Sequence, residues 1–140
     1  MLLAEPMFVT APAAEPIHFG PADRPLFGWL HSPPCAEHRA FGLVICNPMG
    51  SEEISAHRTN RHFAEKAAAA GIPALRFDYD GTGDSTGCST DPNRFRAWLD
   101  SIQKAVTTLR TRFGLEQVAL FGIRLGATLA EHPVGVHHTL

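Results

Sequence analysis

The residues best placed for chemistry gather around one short segment, Gly122-Ile123-Arg124-Leu125-Gly126. An apolar stretch, Val118-Ala119-Leu120-Phe121, runs into this Gly-x-Arg-x-Gly turn, and the small-residue sequence Ala127-Thr128-Leu129-Ala130 follows at once. A strand that turns this sharply into a helix holds its central residue where only small neighbours fit, hence Gly122 and Gly126. The central residue is Arg124. Its guanidinium stays protonated and offers no lone pair, so it can be neither nucleophile nor general base. It could bind an anion, since a helix N-terminus also favours negative charge. It could equally pair with a nearby carboxylate such as Asp80 or Asp84. The sequence leaves both open.

Two further loops follow apolar runs. The first is Asn47-Pro48-Met49-Gly50-Ser51-Glu52-Glu53, after 42–46; by itself it reads as a turn ahead of a helix. The second, after 74–77, is Asp78-Tyr79-Asp80-Gly81-Thr82-Gly83-Asp84-Ser85, a D-x-x-G-x-G-x-S pattern. Gly81 and Gly83 permit backbone angles closed to other residues. A phosphate-cradling role is the rival, but neither G-x-G-x-x-G nor a P-loop lysine is present.

In this order and spacing, the three loops over 17–131 resemble the α/β-hydrolase superfamily. Within it they are similar to the serine-aminopeptidase-like and exosortase-system-associated hydrolases, over the N-terminal portion only. The resemblance implies that 118–130 is a nucleophile elbow, G-x-S-x-G, with Arg124 in the serine's place. It implies that Met49 or Gly50 supplies one oxyanion N–H and Leu125 the other. Asp78, Gly81, Gly83 and Ser85 would support the loop beside the site. The acid and the histidine of such a triad would lie on later strands, and the sequence ends at Leu140. The expectation is a truncated or frame-disrupted product of an ester- or amide-hydrolase lineage, not competent alone. The alternatives are a binding module for a carboxylate or phosphate at Arg124, or a half-domain completed by another chain.

No other residue replaces the nucleophile. Ser51, Ser55, Ser85 and Ser89 lack a histidine and acid at recognisable spacing, and Cys46 reads as a buried apolar residue. His57 and His62 fall on a helix as surface or capping residues. His132, His137 and His138 lack a carboxylate or cysteine companion for a metal, so neither metal nor cofactor is expected.

The elements that must carry these loops follow from periodicity. Residues 1–16, with Pro6, Pro12 and Pro16, read as an extended lead-in. Strands are expected at 17–19 and 26–31, joined by a turn-rich linker as a hairpin, and then at 42–46, 74–78 and 117–121. Helices are expected at 55–70, with Ile54, Phe63, Ala64, Ala67 and Ala68 facing inward, and at 92–112, capped by Asp91 with Pro92 at its first position. In the latter, Phe95, Trp98, Leu99, Ile102, Ala105, Val106 and Leu109 form the stripe. A short helix spans 125–131, and 132–140 reads as a disordered tail. The order predicts an α/β fold: a mostly parallel sheet, helices on both faces and an N-terminal antiparallel hairpin, a truncated α/β-hydrolase fold.

Composition sets outer bounds. The chain has 140 residues, 44% hydrophobic, and a formal charge of −2, with no basic run to attract nucleic acid. Three cysteines in no metal-like spacing and no signal-like or membrane-spanning run point to a cytoplasmic protein without a membrane partner. An apolar strand at 117–121 with nothing beyond it would invite self-association. A small acyl or anionic ligand is the partner expected at the turn.

Overall fold

The computed structural model describes residues 13–35 and 37–132. Five strands form one sheet: β1 (Ala13–Phe19), β2 (Leu26–Ser32), β3 (Phe41–Cys46), β4 (Ala74–Phe77) and β5 (Gln117–Gly122). Three helices accompany them: α1 (Ser51–Ala69), α2 (Arg94–Phe113) and α3 (Leu125–Ala130). The strand order is β1-β2-β4-β3-β5. The hairpin β1–β2 is antiparallel and β2 pairs antiparallel with β4, whereas β4, β3 and β5 are parallel. One strand, β2, therefore opposes the direction of the other four.

Helices cover both faces. Val44, Leu75, Phe77, Val118 and Leu120 point to the side of α2 and α3, where they meet Leu99, Ile102, Val106 and Leu129. Leu43, Ile45, Ala74 and Ala119 point to the opposite side and pack on Ala64 and Ala67 of α1. This two-sided burial is why β3 reads as a continuous apolar run and not as an alternation. It also fixes the carboxyl ends of β3, β4 and β5 side by side, so the three loops emerge together.

Several boundaries depart from expectation for identifiable reasons. Residues 13–16 of the expected lead-in belong to β1, because β1 is an edge strand and tolerates Pro16, which pairs with Trp29. Ile54 is 76% exposed, since α1 starts at Ser51 and its first turn projects beyond the sheet. Phe95 is 45% exposed for the same reason at the start of α2. That helix begins at Arg94 behind Asn93, whose φ of 58° suits a residue that tolerates the left-handed region. Asp91 is not its cap; its carboxylate takes the Cys88 N–H at 2.9 Å and Arg24 at 2.8 Å instead. Residues 1–12 and 133–140, with His137 and His138, lie outside the described residues. Among those described, no helix is long and apolar enough to cross a membrane.

Candidate functional site

The turn after β5 is built as its glycines require. A Cβ on Gly122 would run into the backbone of Gly126 and Ala127, and one on Gly126 would strike the carbonyl oxygens of Cys46 and Asn47. These contacts draw the N-terminus of α3 against the end of β3. Between them Arg124 holds φ 57° and ψ −121°, a left-handed backbone that side chains rarely adopt. The tight strand–helix turn forces the residue at its apex into this conformation.

Its side chain is 71% exposed and its Nε lies 3.0 Å from Glu52 Oε2, in the first turn of α1. This corrects both expected partners. Asp80 is held by Arg24 at 2.6 and 2.8 Å and by Arg94 at 3.0 Å, and these guanidinium groups, Arg24 above all, hold its carboxyl below the usual carboxylate range. Asp84 gives its N–H to Asp78 and forms no ion pair among the described residues. Glu52 could have been anticipated only from the adjacency of β3 and β5, which brings the start of α1 beside the turn.

Arg124 lines an open cleft of about 320 Å³ with Pro48, Glu52, Ser55, Ala56 and Ile123. Met49 and Gly50 line a separate space of about 70 Å³ with Asp78, Tyr79 and Thr82. Pro48 borders both. Gly50 precedes α1 with φ 67°. Leu125 opens α3, so its N–H has no acceptor within the helix, while its side chain packs on the core.

The β4 loop is tied down by its own side chains. Asp78 Oδ2 accepts the Asp84 N–H at 3.0 Å, and a Cβ on Gly83 would collide with that carboxylate. Ser85 Oγ donates to the Asp78 carbonyl at 2.6 Å and accepts the Phe27 N–H at 2.8 Å, joining the loop to β2. Gly81, with φ 82°, lies against Arg94 and Cys88. Burial pushes the Asp78 carboxyl upward, against the opposing pull of the Asp84 N–H. At the β3 end, Asn47 donates to the Phe77 carbonyl at 2.7 Å and receives Tyr79 Oη on its own carbonyl at 2.8 Å. Cys46 is fully buried, and burial pushes its thiol up to about 12, so it carries no thiolate near neutrality.

Sequence reasoning missed a buried pair on the α1 side of the sheet. His31 and Arg76, 1% and 7% exposed, join β2 to β4 through Arg76 Nε donating to His31 Nε2 at 2.9 Å. Burial, and then the Arg76 charge, lower the His31 pKa to about 4 against a small opposing effect of Glu65. A polar residue of each kind in an apolar strand was the available signal. Among the described residues no cluster of three His, Cys, Asp or Glu is placed to hold a metal.

No family model and no curated protein matches the sequence. Solved structures do match the fold. An α/β serine hydrolase homologue from Coxiella burnetii superposes with a TM-score of 0.66 at 15% identity, over 83% of this chain and 54% of that one. A lidless α/β serine hydrolase from Xanthomonas campestris gives 0.66 at 20% identity, over 84% and 53%. A Pyrococcus furiosus esterase gives 0.65 at 17%, over 89% and 45%. The chain thus has the α/β-hydrolase fold and spans about half the length of the structures it matches.

Proposed function

We propose that this chain descends from serine hydrolases of esters or amides and that Arg124 occupies the position of their nucleophile, so that the chain by itself does not run the serine mechanism. The observation that carries the reading is the Arg124 backbone, φ 57° and ψ −121°, at a strand–helix turn closed by two glycines. Such strain persists where the surroundings over-determine it, and it clusters at sites of function. Here the residue it presents has no nucleophilic atom. The D-x-x-G-x-G-x-S loop from Asp78 to Ser85 supports the narrower placing among serine-aminopeptidase-like, exosortase-system-associated hydrolases, and a cytoplasmic location goes with it.

The test is hydrolysis of p-nitrophenyl acetate and butyrate by the purified chain. The expected rate equals the protein-free blank. Turnover above the blank that persists in Arg124→Ala overturns the proposal, because another residue would then be attacking the ester.

A second reading, a binding module for a carboxylate or phosphate, draws on the exposed guanidinium at the wall of the 320 Å³ cleft. Glu52 already engages that guanidinium, so an incoming anion must displace a carboxylate. The same Arg124→Ala variant decides it by calorimetry with acetate and inorganic phosphate; equal heats from both proteins end this reading.

A further inference from the structure

The geometry points to a second binding site, away from Arg124, that takes a neutral polyhydroxylated ring of the pyranose class on the α1 side of β2 and β4. It is a cleft of about 220 Å³ with Trp29 and Phe27 on one wall and Arg76, Asn60 and Asp78 among its polar lining.

Arg76 motivates the site. The residue is 7% exposed, and among the described residues its guanidinium makes one hydrogen bond, from Nε to His31. A guanidinium has five N–H donors, and only one of those of Arg76 is taken up by His31. The terminal nitrogens are not among the buried atoms that lack a partner, so they keep contact with solvent, and Arg76 lines the cleft. An acceptor brought there meets donors held in place by the Nε bond to His31. Asn60, 2% exposed, lines the same cleft and leaves its Oδ1 without a donor.

Charge selects the ligand. Glu53, Asp78 and Asp84 also line the space, so carboxylates outnumber the single guanidinium. A small anion is opposed by that excess. A small cation is opposed by the Arg76 guanidinium in the same lining. What satisfies both is a neutral molecule whose hydroxyls accept from Arg76 and donate to the carboxylates. The aromatic wall adds the shape requirement. Trp29 is 36% exposed and braced edge-on by Phe27 with ring centroids 5.9 Å apart, and Phe27 is braced in turn by His18 at 5.4 Å. A rigid exposed indole beside polar groups is suited to one apolar face of a ring, with the ring's edge turned to the polar lining.

The test is saturation-transfer NMR with the methyl glycosides of glucose, galactose, mannose and N-acetylglucosamine, with inorganic phosphate and methylammonium as charged probes. The expected result is transfer to the ring protons of at least one glycoside with a dissociation constant in the millimolar range. That glycoside should shift the indole N–H resonance of Trp29 and leave Trp98, the other tryptophan, in place. Binding should weaken at least tenfold in Trp29→Ala and severalfold in Asp84→Asn, and be unchanged in Arg124→Ala. The wild-type indole shift carries the test if Trp29→Ala does not fold. The inference is overturned by no transfer to any glycoside, by tighter binding of phosphate or methylammonium, or by a glycoside that leaves the Trp29 resonance unmoved.

Discussion

Arg124 concentrates the tension between backbone and side chain. Its φ of 57° is imposed by the turn, not chosen by the residue. Holding a Cβ there costs on the order of 1–3 kcal/mol. The Glu52 ion pair returns little, because both partners are well exposed and such pairs contribute about 0–1 kcal/mol. Two substitutions separate these effects. Arg124→Gly and Arg124→Ala both lose the ion pair, but only glycine relieves the backbone. The glycine variant should therefore be the more stable of the two, by about 1 kcal/mol or roughly 3 °C in Tm. Thermal unfolding followed by circular dichroism measures this directly. If alanine is equally stable, the turn does not strain its apex residue.

Between elements, the hidden connection is His31 to Arg76 across β2 and β4. His31 accepts a hydrogen bond on Nε2 and so must be neutral in the folded chain. Its folded pKa of about 4 lies below the unfolded value of 6.5. The unfolded state then binds the proton more readily, so stability is full above pH 6.5 and is lost as pH falls toward 4. The loss by pH 4.5 should be about 2–3 kcal/mol, and His31→Gln should flatten that slope in urea titrations at pH 7.5 and 4.5. An unchanged slope would place the acid sensitivity elsewhere. Elements of this kind were half legible in the sequence. The apolar runs at β3 and β5 and the Leu99–Ile102–Val106–Leu109 stripe of α2 announce themselves by period. Pro16 hid the start of β1, because a proline argues against a strand unless the strand lies at an edge, and edge position is a tertiary fact. Asp91 imitated a helix cap by its local sequence while its real partners, Arg24 and Cys88, came from the tertiary arrangement of the loop. Glu52 was out of reach for the same reason: its pairing with Arg124 depends on β5 docking beside β3.

At the scale of the molecule, the sheet is unequally protected. β1 closes one side as a hairpin strand with Pro16 and Glu15 exposed, features that discourage further pairing. On the other side β5 pairs only with β3 among the described residues. Its Val118, Ala119 and Leu120 are buried between α1 and α2–α3, and among the described residues its outer backbone edge carries no pairing strand. A parallel strand of this hydrophobicity is ordinarily interior to a sheet. We propose that β5 is covered by a second copy of the chain pairing through 117–121. The formal charge of −2 is too small to keep two copies apart at ordinary ionic strength. Sedimentation velocity from a few micromolar to about a hundred micromolar should show a mass that rises above the 15.2 kDa of one chain. Gln117→Pro, at an exposed position that begins the strand, should lower that association, because proline removes a backbone donor from one end of the edge. A 15.2 kDa species at every concentration would mean that the β5 edge is satisfied within one molecule.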